Sequence, residues 1–257
     1  MDVDHDGGLH AYIEGLGFSG AGRSGQPQAW RAVRSGAQAV ADPLKSVVDV
    51  GALVAFAGNV PEAQRQDVLD AVQLAQRAAT GLFDRHANTE KWYGKFTEVL
   101  ERIGWTTSQF AFVKHDQGTG ELKLDRTALT ILAAVATQNA LGVLTASIDA
   151  LKALADNDHA ITIFKRFASK DASGNFQLGA VELSAQGALS MALGAFYYKA
   201  TDQRTKMVFG SWGASDIQFW SAAQNMTLNT KQYDLAREKL REKLGDPGNY
   251  VAELDLG

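Results

Sequence analysis

Residues 127–148 read TALTILAAVATQNALGVLTASI and contain no charged side chain. They lie between Arg126 and Asp149 in a chain of 257 residues with a formal net charge of -4. An uncharged segment this long is buried in protein, buried in lipid, or transferred from one to the other. Its many small residues favour one long helix, at 125–154, that is packed in the core on several sides by a sheet and other helices.

Conditional insertion into a membrane is the alternative reading of the same segment. Its length suits a spanning helix, which needs about 20 mostly apolar residues. However, Gln138 and Asn139 fall near its middle, where unpaired amides are costly to bury in hydrocarbon. The composition therefore favours buried core, and membrane insertion stays open.

The segments before this stretch predict mainly helices. One helix begins at Pro61 and ends at Gly81, and a second begins with Thr89 as its N-cap and ends at Gly104. Residues 47–60 are apolar and fit either a strand or a short buried helix. Residues 108–114 and 121–124 flank a glycine-containing turn and predict a hairpin.

The segments after residue 176 alternate in the way that strands do. Leu189, Met191 and Leu193 share one face, whereas Phe196 and Tyr198 share the other. Short breaks predict an antiparallel meander of four or five strands, followed by a helix with Asn229 as N-cap and an edge strand within 250–256. Residues 159–168 fit a helix or a strand.

The predicted helices cluster in the first part of the chain and the predicted strands in the second. This order indicates an α+β fold, with an antiparallel sheet from the C-terminal half packed against several helices. We expect a glycine-rich, partly flexible N-terminal arm at 1–43, with a short helix at about 30–40, and a single domain at 44–257.

Composition excludes several classes of function. The chain has no cysteine, which removes disulfides, thiolate metal sites and cysteine nucleophiles. The negative net charge and the lack of a Lys/Arg cluster predict no nucleic-acid partner. The acidic N-terminus lacks a secretory signal. We expect synthesis in a bacterial cytoplasm and, if the protein leaves the cell, export without a cleaved signal peptide; the sequence does not predict the oligomeric state.

No motif predicts a catalytic, cofactor-binding or metal-ligating residue. Residues 15–20 match GxGxxG, and Ser19 is one residue short of a GxSxG elbow, but neither follows a strand. Residues 171–175 superficially resemble a calcium loop and are better explained by a turn. The five histidines have no metal-binding spacing: His5, His10, His86, His115 and His159. We therefore predict no cofactor and no metal.

The aromatic residues favour a core between sheet and helices over a membrane-interface belt. The sets concerned are Trp92 with Tyr93, residues 196–198, and Trp212 with Phe219 and Trp220.

Several segments together resemble a family of bacterial virulence proteins typified by the Erwinia virulence factor, which acts in the insect gut. They are DVLDAVQLAQRAA at 67–79, WYGKFTEVLERIGW at 92–105, GNFQL at 174–178, and residues 228–244 with an LN...Y...R pattern. The resemblance covers residues 55–256. It implies two intertwined α/β pseudodomains and a role in interaction with an animal host. It also implies a fatty acyl chain on a cysteine, which this cysteine-free chain cannot carry.

Three hypotheses of function follow. The leading one is a non-enzymatic, host-directed virulence or toxin-like protein that acts through lipid or membrane contact. The alternative is a soluble interaction protein or a non-covalent carrier of an apolar ligand. The third is an enzyme with an unrecognised site, for which His115, Asp116, His159 and Asp171 are the candidate residues, and it is the least favoured.

Overall fold

A computed structural model describes residues 5–18, 45–108, 110–115, 120–201, 211–245, 250–254 and 256. The helices in these ranges are α1 (His5–Gly15), α2 (Glu62–Leu82), α3 (Thr89–Arg102), α4 (Leu124–Leu132), α5 (Gln138–Ala153), α6 (His159–Ala168) and α7 (Thr230–Leu244). The strands are β1 (Lys45–Asp49), β2 (Ala52–Phe56), β3 (Trp105–Thr106), β4 (Val113–His115), β5 (Glu121–Lys123), β6 (Ser169–Lys170), β7 (Ser173–Leu183), β8 (Leu189–Ala200), β9 (Ser211–Gly213), β10 (Ile217–Leu228) and β11 (Val251–Leu254). The predicted α+β class is confirmed.

The main sheet has the order β11-β1-β2-β7-β8-β10-β3, with β4 also on β10 and β6 also on β7. Only β2 and β7 pair in parallel among these described strands. Among the described residues, the long strands β7, β8 and β10 form an antiparallel meander of three strands, where the sequence predicts four or five. Residues 189–200 form one strand, and β9 pairs with β5 in a separate two-stranded sheet. The predicted edge strand near the C-terminus is β11, which pairs with β1.

Both faces of the main sheet are covered by helices. On β8, Leu189, Met191 and Leu193 enter a core with residues of α1, α2, α3 and α7, on what we call the first face. Phe196 and Tyr198 enter a second core with residues of α4, α5 and α6, on the second face. The alternation read from the sequence is therefore confirmed. Burial on both faces also explains why β7 and β8 contain long uninterrupted buried runs.

The helix ends agree with most of the sequence signals. Pro61 precedes α2 in an extended conformation, which suits a residue with a fixed φ and no amide proton. The side chain of Asn229 accepts a hydrogen bond from the Gln232 amide, so the predicted N-cap of α7 is confirmed. The N-cap of α3 is Asn88, one residue before the predicted Thr89, and Gly104 follows this helix with a φ of +109°.

The prediction of one long buried helix at 125–154 is wrong. The segment forms two helices, α4 and α5, joined by a tight turn at 133–137. Helix α4 ends at Leu132, and Thr137, which has extended backbone and a hydroxyl that accepts from the Ala140 amide, is the N-cap of α5. The two helices lie on the second face as an outer layer, with one side towards the sheet and the other exposed.

The hairpin predicted across residues 108–124 is also wrong. Strand β4 pairs with β10, and β5 pairs with β9. Each partner is distant in sequence, and three-residue strands carry too little periodicity to reveal it.

Part of the predicted N-terminal arm is helical. Helix α1 packs against α7 and buries Leu9 and Ile13, and Leu16 is buried just after it. The short helix predicted at about 30–40 lies outside the described residues, and the division at residue 43 stays a prediction. The sequence left two segments open between helix and strand. Residues 45–56 form the two strands of the β1–β2 hairpin, and residues 159–168 form the helix α6.

Candidate functional site

The α4–α5 layer presents an outer surface without charge along the whole of residues 127–148. Its exposed members are small or polar: Thr130, Ala133, Ala134, Thr137, Gln138, Asn139, Gly142 and Ala146. We call these residues the uncharged surface. On α4 and α5, charged side chains occur only outside residues 127–148. Among them, Lys152 of α5 pairs with Asp125 of α4. A solvent-facing helix pair normally carries charges on its outer side, so their absence marks this surface as a candidate for contact with an apolar partner.

The inner side of the same layer is apolar. Its buried residues are Leu124, Ala128, Leu132, Ala140, Val143, Leu144, Ile148 and Leu151, and the polar member Ser147 donates to the Val143 carbonyl of its own helix. Beneath them the sheet carries a row of rings. The centroids of Phe176 and Phe196 are 5.3 Å apart, and those of Phe196 and Phe219 are 6.1 Å apart. Between residues 127 and 148, the α4–α5 pair is therefore free of charge on both of its sides.

A cavity of about 400 Å³ lies on the first face, between β1, β2, β11, α2 and α7. Its apolar lining consists of Val47, Phe56, Leu69, Leu244 and Val251. Two ion pairs border it, Lys45 with Glu62 at 3.1 Å and Arg241 with Asp70 at 2.8 Å. Burial raises the pKa of Asp70 against the lowering effect of Arg241. An apolar cavity of this size with a few polar groups suits a small amphipathic molecule.

Arg85 is the centre of a buried polar cluster. Its Nη1 donates to Gln76 Oε1 at 3.4 Å and its Nη2 to Gln177 Oε1 at 3.3 Å. Its guanidinium carbon lies 4.6 Å from the centroid of the Trp92 ring. Burial lowers the pKa of Arg85 to about 10. Within the part of the chain that the structure describes, no carboxylate pairs with it.

This cluster is packed too tightly to receive a ligand. A Cβ added to Gly51 would lie only 2.5 Å from Arg85 Nη1. Gln76 also joins the β1–β2 turn to α2, since it donates to the Asp49 carbonyl at 2.9 Å and accepts from the Gly51 amide at 3.3 Å. The cluster fixes the β1–β2 turn against α2 and β7.

Two histidines contact serine hydroxyls. His115 Nε2 and Ser221 Oγ lie 2.6 Å apart, and His86 Nδ1 and Ser173 Oγ lie 3.2 Å apart. Burial lowers the pKa of both histidines, that of His86 to about 4. A neutral histidine beside a hydroxyl is the start of a nucleophilic site. Ser221, however, is only 4% exposed within the long strand β10, where such a contact also satisfies a buried hydroxyl.

The other candidate residues are not brought together. His159 is exposed at the start of α6, and Asp171 lies in the β6–β7 turn with a φ of +51°. Strands β6 and β7 pair across this turn, so the turn predicted within residues 171–175 is present. Asp116 lies outside the described residues, as do Ser19 and Gly20.

Neither the nucleotide motif nor a metal centre gains support in the described residues. Helix α1, rather than a strand, leads into Gly15 and Gly17, so the described part of the GxGxxG match lacks the strand that a nucleotide site needs. Among the described residues, no group of three or more His, Asp or Glu side chains could hold a metal ion.

The aromatic residues are mainly core, as predicted. Trp92, Tyr93, Phe196, Tyr198, Trp212 and Phe219 are buried. Tyr197 and Trp220 are only partly buried and stack at 4.6 Å with an interplanar angle of 6°. Within the described residues no helix has both the length and the apolar character needed to cross a membrane.

No protein-family model and no curated protein matches the sequence. The solved structures that are similar to the chain include two at 12% identity. A delta-endotoxin aligns with a TM-score of 0.41 over 80% of this chain and 91% of its own. The Evf virulence factor aligns with a TM-score of 0.37 over 92% of this chain and 87% of its own. The neighbours are thus a toxin and a virulence factor, and the likeness to both is weak.

Proposed function

We propose that this protein is a non-enzymatic, host-directed virulence or toxin-like protein that acts by contact of its uncharged surface with a lipid membrane. The observation that carries the proposal is the absence of charged side chains on both sides of the α4–α5 pair between residues 127 and 148. A charged side chain in hydrocarbon is costly, and most surface helices carry several. Contact with a lipid surface through residues 127–148 of this pair buries no charged side chain of that segment.

The geometry favours contact at the membrane interface. Helix α4 has 9 residues and α5 has 16, and a spanning helix needs about 20. Gln138 and Asn139 begin α5 on its exposed side, where their amides stay at the level of the lipid headgroups. The helical backbone keeps most of its own hydrogen bonds satisfied, so the pair suits an apolar environment.

The test is co-sedimentation with vesicles of phosphatidylcholine, alone and mixed with phosphatidylglycerol, at neutral and acidic pH. We expect the natural protein to bind and Ala146→Asp to weaken binding by about tenfold, because an aspartate resists entry into the apolar layer. Ala11→Asp places the same exposed change on α1, over the first face, and serves as the control. Failure of the natural protein to bind under all of these conditions would overturn the proposal, as would equal binding by both variants and the natural protein.

A second candidate function is non-covalent carriage of an apolar ligand, which the cavity beside Phe56 and Leu69 favours. Native mass spectrometry tests it. A mass excess that disappears on denaturation, and that is lost in Leu69→Trp, would support a ligand in this cavity. A native mass equal to the bare chain, or to a whole-number multiple of it, would remove the carrier hypothesis.

The animal host and the route of export belong to the same proposal. The resemblance to the virulence family supports a host, and a host-directed role requires that the protein leave the cell that makes it. Culture supernatants of the producing cells, assayed for the intact chain, test the second point. Recovery only from lysed cells would contradict it.

A further inference from the structure

The turn between α4 and α5 is tied to the sheet by two side chains. Asn225 Nδ2 donates to the Val135 carbonyl at 3.0 Å. Thr137 Oγ1 donates to Glu182 Oε2 at 2.7 Å and accepts from the Ala140 amide at 3.2 Å. Asn225 thus holds a carbonyl of the turn, and Glu182 holds the residue that caps α5. A carboxylate at this end also complements the positive N-terminus of the helix.

The two contacts stand on different strands. Glu182 lies on β7 opposite Ser190 of β8, and Asn225 lies on β10 opposite Ala192 of β8. The turn therefore crosses β8 and is fixed on both sides of it, at points about two strand spacings, or roughly 10 Å, apart. A two-point attachment restrains both tilting and sliding of the helix pair.

Within the described part of the chain, the rest of the attachment of α4 and α5 to the sheet is apolar. Among the described residues, no other side chain of the sheet forms a hydrogen bond with residues 133–137. The pair of Lys152 and Asp125 joins the two helices to each other and leaves the sheet untouched. Apolar packing is non-directional, so it is retained in lipid, whereas these hydrogen bonds exist only while the turn rests on the sheet.

We propose that Glu182 and Asn225 form a two-point latch that sets how readily the α4–α5 pair leaves the second face. The latch itself is a property of the folded protein. Its consequence for lipid binding rests on the function proposed above, because release gives lipid access to the inner side of the pair as well as to the uncharged surface.

Amide hydrogen exchange of the full chain without lipid tests the latch. Loss of one side-chain hydrogen bond should raise the equilibrium population of the state in which α4–α5 is open by about fivefold, and loss of both bonds should raise it by about 20-fold or more. We expect Glu182→Ala and Asn225→Ala each to speed exchange in residues 127–148 while α2, α3 and α7 keep their rates. Asn59→Ala is the matched control, because Asn59 Nδ2 also donates to a backbone carbonyl at 3.0 Å, but that carbonyl belongs to Leu183 of β7 rather than to the α4–α5 turn.

Vesicle binding by the same variants separates the two proposals. Faster exchange confined to residues 127–148, together with tighter binding to phosphatidylcholine vesicles, supports both. Faster exchange without any gain in binding supports the latch and contradicts release as the route to lipid. Unchanged exchange in the double variant overturns the latch, and so does an increase spread equally over α2, α3 and α7.

Discussion

Two substitutions on α5, two residues apart, distinguish an outer helix from an enclosed one. Leu144 is 0% exposed and belongs to the same apolar core as the aromatic row of the sheet, whereas Ala146 is exposed on the uncharged surface. In a helix enclosed on several sides, as the sequence alone suggests, an aspartate would be costly at both positions. In the observed layer it should be costly at only one.

The expected magnitudes follow from burial. Leu144→Asp removes a fully buried side chain and places a carboxyl group among apolar residues, so it should lower the free energy of unfolding by about 4 kcal/mol or more. Ala146→Asp loses up to about 0.7 kcal/mol of helix propensity. Repulsion from Asp149 three residues on adds about 0.2–0.5 kcal/mol, so the total stays near 1 kcal/mol.

Urea denaturation followed by circular dichroism measures both values on the same scale. The slope of the transition should match that of the natural protein for Ala146→Asp, since the folded surface is unchanged. A loss of several kcal/mol for Ala146→Asp, similar to that for Leu144→Asp, would refute the outer position of α5. The uncharged surface would then not exist as a surface.

Four further predictions concern other residues. Gly142 lies within α5, and a Cβ added there meets no atom within 4 Å, so Gly142→Ala should stabilise the protein by about 0.5–1 kcal/mol in urea denaturation. Gly174→Ala should destabilise it by about 1–3 kcal/mol, because the added Cβ would lie 2.2 Å from the fully buried ring of Tyr198. Burial lowers the folded-state pKa of His86 to about 4, so the stability that its neutral form contributes is present above pH 6.5 and is lost as the pH falls towards 4. His86→Gln should lose less stability over that interval, and identical pH profiles would contradict this. Asp67→Asn should cost about 2 kcal/mol, because its buried carboxylate accepts hydrogen bonds from two arginines of α7, whereas Asp234→Asn removes only an exposed pair and should cost under about 1 kcal/mol.

The elements that the sequence predicts well carry their signals locally. Asn229 is followed by an apolar stripe at helical spacing, so α7 and its N-cap can be predicted from neighbouring residues of the sequence. The alternation of Leu189, Met191 and Phe196 on β8 separates the two faces of the sheet, because neighbouring side chains of a strand point in opposite directions.

The break in the 127–148 stretch depends on a weaker signal. Thr137 followed by Gln138 and Asn139 can be read as polar residues within a long helix or as a cap and first turn, and helix propensity does not distinguish them. Contact with the sheet decides between them, since Glu182 binds Thr137 from 45 positions away. The polar residues that argued against a membrane span are therefore exposed at a turn.

The candidate sites could be predicted from the sequence only in part. The uncharged surface follows from the lack of charge in one continuous segment, although which side faces out needed the fold. The cavity could not be predicted, because Val47, Leu69, Leu244 and Val251 come from four separate elements. The same holds for the latch, where Asn225 reaches a carbonyl 90 positions away.

Hydrogen exchange of the natural protein with and without phosphatidylcholine vesicles is the most direct test of the central claim. The account predicts that lipid changes exchange in residues 127–148 first and most, with smaller changes in the strands beneath them and none in α2, α3 or α7. Unchanged exchange across 127–148 while the protein is bound to vesicles, or a change centred on α2, α3 or α7, would contradict the assignment of the lipid-contact surface to α4 and α5.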